Sequence, residues 1–260
     1  MKNIALITWA SSWIGKELAT VHAERWGDMI LVARSENKLK EIKIYLENKY
    51  NSEVMIISKD LTTSNSPKEL YDEIKLKWIE VDYLINNAWV GWQWFFHERN
   101  WEDDKNMIQL NVITLTELTK YFVEDMVKRG SWKILNVSST ASFMPWPLQA
   151  VYYASKSFVQ FFSNALSKEL EWTWVTVTNL MPWATETSFA KAAWLEKTDL
   201  FKLTFPATGV AIDGYNAMIK WKMDIMSGLT LMQRISMWSI PFVPKKIVLN
   251  MIFDLQSKAK

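Results

Sequence analysis

The stretch ITWASSWIGKELA (residues 7–19) decides how the chain is read. Its left half closes the apolar run NIALIT (3–8), the pattern of a short strand buried on both faces. Its right half opens a helical pattern that runs from about Ile14 to Trp26. The turn between them has the rhythm of a strand–turn–helix unit that cradles phosphate at a helix N-terminus. Such a cradle needs the smallest residues, because the backbone itself must approach the anion. Trp9 and Trp13 place the largest side chain at two of its positions. Either the turn holds no anion, or these tryptophans stand where glycines belong.

The rest of the chain repeats the strand–helix alternation. Strands are predicted at 29–34, 53–58, 81–86, 133–139 and 175–181, with a seventh near 222–226. Helices are predicted at 36–50, from Ser66 as cap with Pro67 at the first helical position, over about Glu102 to Lys128, and over 150–171. Alternation of this kind predicts an α/β fold, one doubly wound parallel sheet of about seven strands with helices on both faces. The 260 residues are expected to form a single domain, 1–260. Segment 183–206 lacks a clear period and is long for a loop, which suggests a substrate lid. Residues 229–260 read as an amphipathic C-terminal extension of one or two helices, packed on the body or facing a membrane surface or partner.

Composition excludes several classes. The net charge is +2 and the charges are interspersed, so no nucleic-acid stripe is expected. There is no cysteine, hence no disulfide and no thiolate metal site, which fits a reducing, cytoplasmic location. The start MKNIALIT does not read as a signal peptide, and no run of 18 apolar residues predicts a transmembrane helix. His22 and His97 are too few for a histidine metal cluster and are expected at the surface or at helix ends.

Chemistry concentrates in YYASK. Tyr152 and Lys156 lie four apart on a predicted helix and so share a face. An ammonium beside a phenol favours the phenolate and lowers a pKa that starts near ~10. Ser139 lies 13 residues earlier, at the end of strand five. Asn111 falls inside the long helix after strand four, where a buried amide needs partners. Asn86-Asn87-Ala88 end strand four, Asp60-Leu61 end strand three, and MPWATET ends strand six. Polar residues thus gather at the carboxyl ends of the strands, where open α/β sheets bind ligands.

This constellation, in order and spacing, resembles the short-chain dehydrogenase/reductase family over roughly residues 1–228, most nearly its ketoacyl-reductase-like branch. The family's first turn, T-G-x-x-x-G-x-G, here reads Thr8-Trp9-Ala10-Ser11-Ser12-Trp13-Ile14-Gly15. Its N-N-A-G is Asn86-Asn87-Ala88-Trp89, and its P-G after strand six is Pro182-Trp183. Ser139, Tyr152 and Lys156 match its catalytic triplet and Asn111 its fourth catalytic residue. The resemblance implies hydride transfer between a nicotinamide cofactor and a carbonyl or secondary alcohol. It makes Tyr152 the general acid or base, with Lys156 tuning it and holding the nicotinamide ribose. Ser139 would bind the substrate oxygen, and Asn111 a water leading from Lys156 to solvent. Thr8, the residues of the first turn through Gly15, Asp60, Leu61, Asn87, Ala88, Trp89, Pro182, Trp183, Thr185 and Thr187 would line the cofactor, with Thr187 meeting its amide. Ala33-Arg34 at the end of strand two offers no acid and one guanidinium, which favours NADP(H) over NAD(H). Phe143, Met144, Phe158, Phe161 and Phe189 suggest an apolar substrate pocket. Surplus apolar residues on the helices around 102–128 and 150–171 suggest a homodimer or homotetramer.

Every family glycine that is missing is a tryptophan. At the usual ~7% of residues the chain should hold about 18 glycines; it holds 7, beside 16 tryptophans. Fifteen of the tryptophans, all but Trp101, sit where glycine is expected or comfortable. Moving 15 tryptophans to the 7 glycines gives 22 glycines and leaves 1 tryptophan. A gene in which UGA encodes glycine, rendered with tryptophan at those codons, gives this pattern. The native chain is then expected to carry glycine at 9, 13, 89 and 183. If the tryptophans are authentic, the alternatives are a non-catalytic nucleotide binder or a cofactor-free scaffold.

Overall fold

The computed structural model describes residues 2–11, 13–130, 132–185 and 204–257. Seven parallel strands form one sheet: β1 (Ala5–Thr8), β2 (Met29–Ala33), β3 (Val54–Ser58), β4 (Tyr83–Asn86), β5 (Trp132–Val137), β6 (Val175–Pro182) and β7 (Asp224–Ser227). Their spatial order is β3-β2-β1-β4-β5-β6-β7. β1 therefore pairs with both β2 and β4, and the strand order reverses there. A crevice opens at the carboxyl ends of the strands at that switch point.

The helices are α1 (Trp13–Ala23), α2 (Glu36–Tyr50), α3 (Ser66–Leu76), α4 (Trp101–Ile108), α5 (Leu115–Arg129), α6 (Ala150–Glu169), α7 (Ala207–Ile219), α8 (Leu231–Ser239) and α9 (Lys245–Ser257). Leu18 of α1, Leu39 and Leu46 of α2, and Val210 of α7 cover one face of the sheet. Leu70 of α3, Phe122 and Met126 of α5, and Leu170 just beyond α6 cover the other. The strands can be almost uniformly apolar because both faces are dry.

The structure departs from the sequence reading at several places. α1 stops at Ala23, three residues early, and Trp26 adopts φ +57°, a left-handed conformation that ends a helix. Asn65, not Ser66, precedes α3; Ser66 is already helical and donates to Thr63 O at 2.8 Å. The single helix predicted over 102–128 is three pieces, α4, a π-helical turn over Gln109–Thr114, and α5. That wide turn carries Asn111. His22 sits in the last turn of α1, one of the two expected places, but is buried there: its Nδ1 lies 2.8 Å from the Tyr215 hydroxyl and its Nε2 2.8 Å from Asn3 O.

Of the predicted lid, residues 186–203 lie outside the described residues; Thr185 and Phe205 at its two ends form a bridge. The C-terminal extension is two helices packed on the body. Met237 of α8 and Ile252 of α9 are buried against a cluster that includes Met144, Tyr152 and Tyr153. No helix among the described residues is long and apolar enough to cross a membrane.

Candidate active site and nucleotide cleft

β5 ends at Val137, and the chain then turns through Ser138 and Ser139 into one turn of 3-10 helix, Thr140–Phe143. Ser139 caps that turn, its Oγ accepting from Ala141 N at 3.1 Å. Ser138 Oγ donates to Lys156 O at 2.8 Å and pins α6 to the sheet edge. Tyr152 stands in the first turn of α6 and Lys156 one turn later, 6% and 1% exposed. Ser139 and Tyr152 line the same small cavity. Lys156 Nζ donates to Val137 O at 3.0 Å. The serine, phenol and amine expected from the sequence are thus assembled at the carboxyl ends of β5 and β6.

Their electrostatics differ from the expectation. Burial pushes the Tyr152 phenol above its ordinary value, the Ser139 hydroxyl opposing it. Burial pushes the Lys156 ammonium well below its ordinary value. A desolvated pocket favours the neutral form of each group. Lys156 therefore does not lower the phenol in this packing. Its Nζ lies 4.7 Å from the centre of the Trp89 ring and 5.9 Å from that of Tyr152.

The Asn111 side chain is tied into the protein on both sides. Its Oδ1 accepts from Val90 N at 2.9 Å, and its Nδ2 donates to Val90 O at 2.8 Å and Ser155 Oγ at 3.0 Å. The amide braces the loop after β4 against α6. The π-helical turn makes that reach possible, and it left no periodic signal in the sequence.

Thr8 and Asn87 close the switch point. Thr8 Oγ1 accepts from Asn87 N at 2.9 Å and Ala88 N at 3.0 Å, while Asn87 Nδ2 donates to Thr8 O at 3.1 Å. Gly15 must be glycine: a Cβ there would stand 2.4 Å from Trp9 O and 2.6 Å from Asn87 Nδ2. Thr8, Asn87 and Gly15 thus shape the first turn.

Indoles occupy the cleft itself. The Arg34 guanidinium lies 6.0 Å over Trp9; Trp9 stacks on Trp13 at 5.9 Å; Trp13 lies 6.4 Å from Trp89; Trp89 lies 6.0 Å from Tyr152. The row runs unbroken from Arg34 to Tyr152, the path a bound dinucleotide would take across the switch point. As written, the cleft does not fit such a cofactor. Among the described residues, two small cavities flank the row. One, of about 50 Å³, is lined by Arg34, Asp60, Leu61 and Ala88, together with Lys59, which the sequence reading missed. Asp60 Oδ1 accepts from Thr62 N at 2.9 Å and so caps its own turn.

The other cavity, about 80 Å³, is lined by Ser139 and Tyr152 with Ile14, Trp89, Pro182, Trp183 and Thr185. Met144, Trp146 and Met237 also line it. Met237 lies in the C-terminal extension, and no sequence signal joined it to the site. Ser11 is a partly buried member of the first turn, whereas Ser12, Thr187 and Phe189 lie outside the described residues. Of the predicted apolar wall, Met144 faces this cavity, Phe143 and Phe161 line a neighbouring groove, and Phe158 stacks on Phe162 at 5.9 Å. Phe158 therefore does not belong to the pocket.

The family model described as short chain dehydrogenase matches residues 3–198. A very-long-chain 3-oxoacyl-CoA reductase from Rattus norvegicus is 33% identical over 193 residues, 72% of this chain and 61% of its own length. The Homo sapiens reductase of the same name is 31% identical with the same coverage. The chain thus spans about three fifths of the curated relatives it matches. A short-chain dehydrogenase from Sphingobium yanoikuyae in complex with NADPH superposes with TM-score 0.82 and 26% identity, covering 90% of this chain and 91% of that one. A short-chain dehydrogenase/reductase from Burkholderia phymatum in complex with NAD gives TM-score 0.79 at 22% identity, covering 86% and 88%, a likeness of fold.

Proposed function

The chain belongs to the short-chain dehydrogenase family, and on that premise we propose that it is a nicotinamide-dependent oxidoreductase interconverting an apolar ketone and its secondary alcohol. The observation that carries this reading is that Ser139 and Tyr152 line one small cavity, with Lys156 one turn further along α6. Two hydroxyls facing a small cavity can hold a carbonyl oxygen, and the phenol can pass it a proton. The nicotinamide would supply the hydride. Ser139 holds the substrate oxygen and stabilises charge as it grows there. Tyr152 Oη gives up its proton in reduction and recovers one in oxidation. Lys156, once charged, favours the phenolate. Asn111 braces the loop after β4 and would hold a water leading from Lys156 to solvent.

The active form in this proposal carries glycine at 9, 13, 89 and 183. Backbone geometry supports it at 9 and 13. Nine non-glycine residues among those described have φ in the left-handed region, and six are tryptophans: 9, 13, 26, 78, 174 and 221. A Cβ in that region costs ~1–2 kcal/mol, whereas glycine visits it freely. The indole nitrogens of Trp132 and Trp146 are buried without an acceptor, a further penalty of ~1–3 kcal/mol each. With glycines in the cleft, Arg34 and Lys59 together favour a 2′-phosphate, and so NADP(H) over NAD(H).

We take the protein to act as one domain, in the cytoplasm, on a small apolar substrate, and to self-associate through the faces of α5 and α6, where Val127 and Phe158 are exposed. If the tryptophans are authentic, the row of indoles favours a cofactor-free scaffold instead. Spectrophotometric assay of NADPH-dependent reduction over a panel of ketones, with the chain as written and with glycine at 9, 13, 89 and 183, separates the two. Turnover by the glycine form alone supports the proposal. Turnover by neither form sinks it.

A further inference from the structure

Beside the catalytic cavity lies a second, much larger hollow that the proposed reaction does not use. It is a groove of about 700 Å³ between the segment from Ser142 to Ala154 and the helix α9. Its walls include Phe143, Pro147, Ala150, Phe161, Val248 and Leu249, and Lys245 is the one charged lining residue among those described. That volume lies within the ~300–1,000 Å³ of ligand pockets, whereas the 80 Å³ beside Tyr152 holds little more than a carbonyl.

Three residues line both hollows: Met144, Trp146 and Tyr153. They form the partition between them. Trp146 is its largest member and stacks on Tyr153 at 5.0 Å with planes 18° apart. Its indole nitrogen is buried without an acceptor, an unusual state for a well-fitted tryptophan. The sequence context, Met144-Pro145-Trp146-Pro147, also reads comfortably with glycine in place of the indole. The indole is thus the largest part of the wall between the groove and the cavity at Tyr152.

We infer that this groove holds the hydrocarbon tail of the substrate whose carbonyl rests on Ser139 and Tyr152, and that residue 146 decides whether the tail can enter. The inference rests on the proposed reduction and adds a tail subsite and a specificity-determining position. The tail is the occupant because the groove shares a wall with the reacting centre, and because its lining is apolar almost throughout. An extended alkyl chain needs no hydrogen bonds there, and each buried methylene multiplies affinity roughly fourfold.

The test compares butan-2-one with dodecan-2-one in the background bearing glycine at 9, 13, 89 and 183, with residue 146 as tryptophan or as Trp146→Gly. The long-to-short ratio of kcat/KM should rise at least ~100-fold on Trp146→Gly. Adding Val248→Trp, which fills the groove from the α9 side, should bring the ratio back down. Calorimetric binding of dodecan-2-ol to the cofactor-free protein should follow the same order. Equal ratios and equal binding in all three proteins would overturn the inference. If neither ketone turns over while dodecan-2-ol binding still follows residue 146, the groove stands and the proposed reaction falls. A flat ratio with Val248→Trp converting a dimer to a monomer assigns the groove to a second copy of the chain, and the tail subsite is then wrong.

Discussion

Lys156 Nζ sits 4.7 Å from the centre of the Trp89 indole, closer than the 5.9 Å that separate it from the ring of Tyr152. The amine that should serve the phenol is thus held against an aromatic face, in a pocket that favours its neutral form. Residue 89 thus stands against both the row of indoles in the cleft and the amine beside Tyr152. Its replacement by glycine, with glycine at 9, 13 and 183, should convert a protein with no measurable NADPH affinity into one that binds it. Fluorescence titration of NADPH reads this directly. Binding by the chain as written, at equal strength, would count against the indole row as an obstruction.

Left-handed tryptophans far from the cleft give a test that needs no activity. Trp26 and Trp78 have φ +57° and +56°, and their side chains are 75% and 93% exposed. Trp26→Gly and Trp78→Gly should each stabilise the fold by roughly 1 kcal/mol, the relief of a strained Cβ less the extra freedom glycine gives the unfolded chain. Urea denaturation measures it. Destabilisation by both changes would contradict the reading of these positions as glycine sites.

Tyr152→Phe keeps the ring and removes the hydroxyl that shares the cavity with Ser139. In the glycine-bearing protein it should leave NADPH affinity intact and lower ketone reduction by ~10²–10⁴-fold, the loss expected for a general acid. Full activity in this variant would refute the assigned proton donor.

Arg34→Ala probes cofactor choice. In the same background it should weaken NADPH binding by ~1.5–3 kcal/mol, the value of a charged hydrogen bond, and leave NADH nearly unchanged. Lys59, which lines the same cavity, should show a smaller version of the same selectivity, because it is already paired with Glu69 at 3.0 Å. Equal losses for both cofactors would show that neither cation reads a 2′-phosphate.

His22 supplies a pH dependence of stability. Burial lowers its pKa from 6.5 to about 4. The unfolded chain therefore binds the proton more readily than the folded one. Stability from this group is fully present above pH 6.5 and is lost as pH falls toward 4. The loss is on the order of 3 kcal/mol at ~1.4 kcal/mol per unit. His22→Gln should flatten that part of the urea-stability profile between pH 7 and pH 4. A profile parallel to that of the parent would show that His22 does not titrate on unfolding.

Apolar runs of strand length alternating with amphipathic helices determined the α/β class, because a parallel sheet buried on both faces admits few other patterns. The four-residue spacing of Tyr152 and Lys156, and their order after Ser139, were legible because helix geometry is local. So was the conflict at Trp9 and Trp13, since turn chemistry depends on a few adjacent residues. Tertiary structure decided what depends on residues far apart in the chain. It put Met237 over a pocket whose phenol lies 85 positions earlier in the sequence, and it widened the predicted long helix into a π-helical turn at Gln109–Thr114, where Asn111 braces Val90. It also set the protonation of the site. Spacing along a helix placed an ammonium near a phenol, but their pKa values follow desolvation, and desolvation is fixed by everything that packs around them.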